Sequence, residues 1–273
     1  MTIDGMVPGY PPAHHVLRDL AIEVQHARTG SRAWLPCPEP VRNERGRVRL
    51  GALATAVDAV CGGLAAVTAA PGWIATADLT LHVIAPLEAD ELVATATVRR
   101  AGRTTIVVGA EVASTSRPET TLAVASLTFS VLHRRESNPV IAIPDDESVA
   151  PRRSFMGETS QFDLPVYDAC GFRTVGAGVV EVDPQEYIVN SLGAVQGGVL
   201  ASLVDAATVS ALGPDTETAD LQLVYLALAK QGPIRASATV ERADDDAAVT
   251  SVVVDDLAAE RRTSVARCTG VRW

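Results

Sequence analysis

The sequence has few aromatic and few basic residues. Only 4% of its 273 residues are Phe, Trp or Tyr, and 33 acidic residues against 23 basic ones give a formal net charge of −10. Nucleic-acid binding needs clustered Lys and Arg on one surface, and the Arg pairs of this chain are short and isolated. We therefore predict no nucleic-acid partner and a solvated acidic surface.

Common catalytic and ligand-binding motifs are also missing. The chain has no G-x-S-x-G elbow, no phosphate-binding loop and no H-E-x-x-H motif, so we expect neither a metal nor a cofactor. The cysteines form no C-x-x-C pair, which favours buried thiols over disulfides; they are Cys37, Cys61, Cys170 and Cys268.

No membrane association and a cytoplasmic location are expected from the apolar segments. The first residues lack the apolar core of a signal peptide. Residues 51–70 are apolar but carry Asp58 in mid-span. This pattern predicts a buried helix rather than a membrane span.

The chain contains an internal repeat. Residues 43–59 align with residues 190–206 at a constant offset of 147, and nine of these 17 positions are identical, among them one Asn, two Gly and one Asp. Residues 76–81 align with residues 218–223 at an offset of 142. The change of offset falls in a connection, where insertions are tolerated. The chain therefore contains two copies of one domain.

The repeat predicts three parts: an N-terminal repeat (1–135), a polar, proline-bearing linker (136–152) and a C-terminal repeat (153–273). Each copy has one helix-length run that is apolar on nearly every face, which indicates burial all round; these runs are residues 52–70 and 199–212. Four strand-like segments follow each run, and Thr and Val alternate in several of them, as in a half-buried antiparallel sheet. One further strand is predicted before each aligned Asn, in residues 20–25 and 174–182.

One set of residues carries a resemblance to a known family. Asn190, Gly193, Gln196, Gly197, Gly198 and Asp205 resemble the N-x-x-G-x-x-H-G-G-x(6)-D/E signature of the phenylacetyl-CoA and 4-hydroxybenzoyl-CoA class of hot-dog thioesterases. The chain departs from the signature twice: Gln196 replaces the His, and the first copy reads Arg-Leu-Gly at residues 49–51. The predicted fold class is α+β, a tandem (double) hot-dog fold with two antiparallel sheets, each wrapped around a long central helix.

The resemblance implies hydrolysis of an acyl-CoA thioester to free acid and CoA. It also implies that the N–H of Gly197 polarises the thioester carbonyl and that Asn190 helps to orient the reacting groups. From the residues themselves, the unpaired N–H groups and the positive dipole end of the second helix would stabilise an oxyanion at Gly197. A plain helix-entry turn is the structural alternative.

Asp58 and Asp205 are the candidate nucleophiles or general bases. A buried, unpaired carboxylate is destabilising by several kcal/mol, so each must be paired or functional. Eight residues, or about 12 Å of helix, separate Gly197 from Asp205, and the two cannot reach the same carbonyl carbon. We therefore expect composite sites, each with the Gly end of one repeat and the Asp of the other.

The two composite sites are expected to be unequal. Site one combines Asn190, Gln196 and Gly197 with Asp58, whereas site two combines Asn43, Arg49 and Leu50 with Asp205. The Leu50 side chain would crowd the position that Gly197 leaves free, so site one should carry most of the turnover. The remaining substrate-binding candidates are Gly198, Thr76 and Thr218.

Thr76 and Thr218 resemble the threonine of the acyl-CoA thioesterase II type, but the sequence does not identify a partner glutamine. A strand-entry threonine is the structural alternative. Two other functions stay open: a non-catalytic acyl-CoA-binding protein, and a hydratase or dehydratase of the same fold. A homodimer of the fused pair is expected from exposed sheet edges or faces.

Overall fold

The computed structural model describes residues 11–27, 29–133, 151–156 and 163–273, which form one antiparallel sheet of 13 strands around two long helices. The long helices are α2 (Leu50–Ala69) and α4 (Gly197–Leu212), and the single-turn helices α1 (Val16–Asp19) and α3 (Val166–Ala169) precede them. The strands are β1 (Glu23–His26), β2 (Ser31–Pro36), β3 (Trp73–Val83), β4 (Glu91–Ala101), β5 (Thr105–Ser114), β6 (Arg117–Leu132), β7 (Arg153–Ser154), β8 (Arg173–Gly176), β9 (Val179–Val182), β10 (Glu217–Tyr225), β11 (Ile234–Ala243), β12 (Ala247–Asp256) and β13 (Arg261–Val271).

The strand order is symmetric about its centre. It runs β7-β1-β2-β4-β5-β6-β3-β10-β13-β12-β11-β9-β8, so each half has the same arrangement and β7 is an extra edge strand. α2 packs on the first half and α4 on the second. The tandem hot-dog fold is confirmed, with one refinement: the two predicted sheets are halves of a single sheet, because β3 and β10 pair.

The β3–β10 junction contains the symmetry axis. Thr80 pairs with Gln222, and these are equivalent residues of the two repeats at the offset of 142. In an antiparallel ladder, a pair of equivalent residues lies on a local twofold axis. A pseudo-twofold axis therefore passes between Thr80 and Gln222 and relates the two halves.

The long helices lie side by side and antiparallel, in close contact through glycines. A Cβ atom added to Gly198 would lie 2.3 Å from the Thr55 Cα atom, and one added to Gly51 would lie 2.6 Å from the Ser202 Cα atom. Only glycine permits such an approach of the two backbones. The contact brings the first turn of each helix beside the middle of the other.

α2 is long and apolar enough to cross a membrane by length and composition, but 83% of its most apolar window is buried within the protein. Its apolar faces are covered by the sheet of the first half and by α4. This matches the predicted buried helix. The four cysteines are also buried and form no disulfide, as predicted.

One detail differs from the sequence-based expectation. The single strand predicted before each aligned Asn is wrong, because a two-stranded hairpin lies there: β1–β2 in the first half and β8–β9 in the second. Gly178, at a φ of 71°, turns the second hairpin in the middle of the predicted strand.

The junction between the two repeats is only partly described. Most of the predicted linker 136–152 lies outside the described residues. β7, which follows it, pairs with β1 at the edge of the first half. The first element of the second half is therefore α3.

Candidate active site

Asp58 lies in the middle of α2, at the point where the first turn of α4 meets it. The side chain is only 8% exposed. Its Oδ1 accepts a hydrogen bond from the Thr76 hydroxyl at 3.1 Å, and its Oδ2 accepts one from Gln196 Nε2 at 3.2 Å. The N–H of Gly198 is a third donor. A carboxylate offers about four acceptor positions, so one position stays available to a further donor.

A β-bulge directs Thr76 toward Asp58. The β3–β6 register shifts between Thr76 and Asp78, and the β10–β13 register shifts at the equivalent point, between Thr218 and Asp220. Bulges re-aim side chains and are frequent beside active sites. The Thr76 hydroxyl therefore points away from a simple strand-entry role and binds the buried carboxylate of Asp58.

Burial raises the pKa of Asp58 from 3.8 to about 6, while the hydrogen bonds from Thr76 and Gly198 oppose this rise. The carboxylate is thus mostly ionised at neutral pH but has a much higher proton affinity than an exposed one. A general base works best when its pKa lies near the working pH. Asp58 has this property and one available acceptor position.

The first turn of α4 faces the same carboxylate. Gln196 is the N-cap residue, and its Oε1 accepts a hydrogen bond from Val199 N at 3.2 Å while its Nε2 binds Asp58. The Gly197 N–H makes no hydrogen bond within the described part of the chain. A Cβ atom at Gly197 would lie 3.0 Å from Asp58 Oδ2, so glycine keeps the space in front of the carboxylate free.

Tyr225 fixes the other side of this turn. Its hydroxyl donates a hydrogen bond to the Gly197 carbonyl oxygen at 2.8 Å. Burial raises the pKa of Tyr225 well above 10, and the nearby negative charges of Asp58 and Asp78 add to this. Tyr225 therefore stays protonated and acts as a donor that holds the Gly197 peptide in place.

These residues line a cavity of about 500 Å³, here called the site-one cavity. Asp58, Thr76, Gln196, Gly197 and Tyr225 lie on its wall. One arm is mainly apolar and is formed by the first repeat; it includes Leu17, Ala59, Gly62, Ile74 and Leu132. The other arm is formed by two loops of the second repeat, residues 190–192 and 226–229. Ligand pockets in proteins commonly have volumes of this size.

Site two keeps the carboxylate and the threonine of site one, as Asp205 and Thr218, but it has almost no space. The cavity beside Asp205 measures only about 40 Å³. The Tyr167 hydroxyl donates a short hydrogen bond to Asp205 Oδ2 and accepts one from the Gly51 N–H at 3.3 Å. The Arg49 guanidinium stacks over the Tyr167 ring, 5.0 Å from its centroid. The tyrosine thus fills the position that a substrate would need.

The carboxylate of site two is also in a perturbed environment. Burial raises the pKa of Asp205, whereas Thr218, Tyr167, Arg49 and the Gly51 N–H favour its ionised form. Thr218 is the equivalent of Thr76, but its Oγ1 is buried without a hydrogen bond of normal geometry. Asp205 thus has a direct hydrogen bond from Tyr167. The Leu50 side chain beside it is buried, at 4% exposure.

The two candidate asparagines and Gly198 have structural contacts. Asn190 Oδ1 accepts hydrogen bonds from the N–H groups of Leu192 and Ala194, and Asn43 Oδ1 binds its own turn in the same way. Each Asn lines the cavity of its site and shapes the loop before the helix. Gly198 packs against α2. The structure thus brings Asp58, Thr76, Gln196 and Gly197 together around one cavity.

Two tyrosines of the sites were missed from the sequence. Tyr167 lies in α3 and is the equivalent of Leu17 in α1, at an offset of 150. Tyr225 is the equivalent of Val83 at the offset of 142. Only four tyrosines occur in the chain, so this rarity and the extension of the repeat alignment to both ends were the available signals. Among the described residues, no cluster of His, Cys, Asp or Glu could hold a metal ion.

Comparisons with known proteins point to the same fold. The tesB protein of Mycobacterium avium subspecies paratuberculosis superposes with a TM-score of 0.64 at 11% identity, over 94% of this chain and 97% of that chain. A hot dog fold protein of unknown function from Alicyclobacillus acidocaldarius gives a TM-score of 0.62 at 12% identity, over 94% and 97%. The 12:0-ACP thioesterase from Umbellularia californica gives 0.59 at 9% identity, over 88% and 92%.

At these identities the superpositions show a shared fold. A search of curated protein sequences gives no match. Residues 8–117, which span most of the first half, match the family model of the acyl-CoA thioesterase C-terminal domain.

Proposed function

We propose that the chain is an acyl-CoA thioesterase that works at site one. The observation that carries this proposal is the buried Asp58 carboxylate, which Thr76 and Gln196 hold beside Gly197 on the wall of a cavity of about 500 Å³. A base and an oxyanion donor on opposite repeats face the same space. The match of residues 8–117 to an acyl-CoA thioesterase domain supports the same activity.

In the proposed reaction, Asp58 accepts a proton from a water molecule as that water attacks the thioester carbonyl carbon. The negative charge that develops on the carbonyl oxygen is stabilised by the Gly197 N–H and the positive end of the α4 dipole. The carbon–sulfur bond then breaks, and the thiolate takes up the proton. The products are the free acid and the free thiol of CoA.

The geometry favours Asp58 as a base over Asp58 as a nucleophile. Three donors already bind its oxygens, which lowers their nucleophilicity, and the available acceptor position suits a water molecule. Hydrolysis in ¹⁸O-labelled water distinguishes the two. We expect no label in the Asp58 carboxylate after many turnovers. Label there would show a mixed-anhydride route in which water attacks the Asp58 carboxyl carbon.

The Asp58, Thr76 and Gln196 cluster combines two resemblances. Gln196 stands at the His position of the 4-hydroxybenzoyl-CoA and phenylacetyl-CoA signature, and it binds the same carboxylate as Thr76. It therefore supplies the partner glutamine that the thioesterase II resemblance requires. Assignment to either class stays part of the proposal, as do the acyl group and the homodimer.

Release of free thiol from a panel of acyl-CoA substrates tests the proposal. The wild-type chain should turn over at least one substrate class, and Asp58→Asn should lower kcat by at least ~10²-fold. Asp205→Asn is the matched control, because Tyr167 fills site two, and it should retain most of the activity. A larger loss from Asp205→Asn would reverse the assignment of the sites.

Two other functions remain as outcomes of the same assay. Saturable acyl-CoA binding without turnover would identify a binding protein. A hydratase would instead use an Asp–His pair, and no His is present among the described residues that line the site-one cavity.

A further inference from the structure

The chain contains a single lysine, Lys230, and it lies at the rim of the site-one cavity. Lys230 directly follows residues 226–229, which line the cavity. Its Nζ donates a hydrogen bond to the carbonyl oxygen of Leu192 at 2.7 Å, and Leu192 lines the same arm. The side chain therefore links the two loops that form the second-repeat arm.

The position of this lysine is fixed by a buried carboxylate. Asp256, only 1% exposed, accepts hydrogen bonds from the backbone N–H groups of Lys230, Gln231 and Gly232 at 2.8 to 2.9 Å. These bonds hold the backbone of the loop, and the Lys230 ammonium group takes no part in them. Within the described ranges, the ammonium binds a backbone carbonyl and no carboxylate. An ammonium has three donors, so two stay available.

Both arms of the cavity are largely apolar, but the second-repeat arm has a lysine at its rim. The first-repeat arm is apolar, with Ala59, Gly62 and Ile74 on its wall. The second-repeat arm ends at an exposed positive charge in a chain whose net charge is −10. A CoA thioester has an acyl group on one side of its carbonyl, and on the other a pantetheine arm that ends in phosphate.

We propose that Lys230 binds the phosphate end of the thioester carrier and so sets the direction in which the substrate enters. This proposal rests on the proposed function. The pantetheine arm would pass between residues 190–192 and 226–229, and the acyl group would lie along α2. A lysine binds phosphate as a compact point charge, and an acidic protein surface offers an anion few other contacts.

Paired substrates test this role. Lys230→Gln should raise KM about tenfold for an acyl-CoA, the loss of one charge-assisted contact, with kcat nearly unchanged. The same acyl group on pantetheine, which lacks phosphate, should keep its KM. Lys230→Arg should restore most of the affinity, and Arg100→Gln, which removes an exposed charge on β4, should have no effect. Equal losses with both substrates would overturn the proposal and would show that Lys230 only links the two loops.

A labelling experiment decides the question without turnover. An amine-selective acylating reagent should modify Lys230 as the only side-chain amine, measured by mass spectrometry of its peptide. CoA should protect this amine and pantetheine should not. Protection by 4′-phosphopantetheine would assign the pantetheine phosphate, which a carrier protein also presents, whereas protection by CoA alone would assign the nucleotide end.

Labelling that is unaffected by both phosphate compounds would overturn the proposal. If the wild-type chain protects Lys230 with CoA but hydrolyses no thioester, the proposed function fails while the phosphate contact stands. The two failures are therefore distinguishable.

Discussion

Asp58→Asn should stabilise the protein at neutral pH while it abolishes turnover. Burial raises the pKa of Asp58 from 3.8 to about 6. One pKa unit corresponds to about 1.4 kcal/mol, so ionisation of this carboxyl is unfavourable to the folded state by about 3 kcal/mol. The sign follows from linkage. The destabilisation of the folded state is absent below pH 3.8, grows as the pH rises from 3.8 to 6, and is fully present above 6.

The asparagine removes this penalty but loses one contact. Its carbonyl oxygen can still accept from Thr76, whereas its amide group meets the Gln196 amide donor, because Gln196 Oε1 is held by Val199 N. Loss of a buried hydrogen bond is destabilising by about 1 kcal/mol. The net gain should therefore be about 2 kcal/mol above pH 7, or roughly 4–8 °C in Tm for a chain of this size.

Thermal or urea unfolding of both proteins from pH 4 to pH 8 measures this effect. The stability difference should favour Asp58→Asn at pH 8 and shrink or reverse near pH 4. Asp245→Asn, an exposed change in the β11–β12 hairpin, controls for the loss of one negative charge. A variant that is less stable than the wild type by the same amount at every pH would show that the carboxylate is not strained by burial, and would refute the argument.

Three further predictions follow from the same geometry. The value of kcat/KM for the wild type should rise with pH through about 6, because Asp58 must be ionised to act as a base; a limb centred near pH 4 would contradict its assignment as that base. Tyr167→Leu together with Leu50→Gly, in the Asp58→Asn background, should restore measurable thiol release at site two. These changes give the surroundings of Asp205 the residues that site one has at the equivalent positions, Leu17 and Gly197. If no thiol release is restored, other residues also keep site two closed. Gly62→Leu should lower kcat/KM for long acyl chains at least ~10-fold and spare short ones, since a Cβ at Gly62 has its nearest neighbour 3.8 Å away and the side chain would enter the apolar arm; equal losses for all chain lengths would place the acyl group elsewhere.

The pairing of the Gly end of one repeat with the Asp of the other was predictable from the sequence, because it follows from the fixed rise of an α-helix. Matched Asn, Gly and Asp residues define the repeat, and the helix rise separates Gly197 from Asp205 by about 12 Å. Pairing each Gly end with the Asp of the other repeat then needs only an antiparallel neighbour. The structure has this neighbour, with Gly198 against Thr55.

The tyrosine contacts could not be predicted in the same way. Tyr167 reaches the Gly51 N–H across 116 residues of sequence, and it does so from a single-turn helix with almost no periodic pattern. The roles of Gln196 and Thr76 depended on a β-bulge and on a helix cap, which are set by strand pairing and side-chain geometry. Sequence spacing therefore located the carboxylates, and tertiary contacts decided which of them faces an open cavity.

Covalent fusion of the two halves changes what a single mutation can do. In a dimer of identical chains, a tyrosine at the position of Tyr167 would appear twice and fill both pockets. Here the equivalent position of the first half is Leu17, so Tyr167 fills only the pocket beside Asp205 and the site-one cavity stays open. A fused chain with a pseudo-symmetric sheet through Thr80 and Gln222 can therefore change the residues of one pocket without changing those of the other.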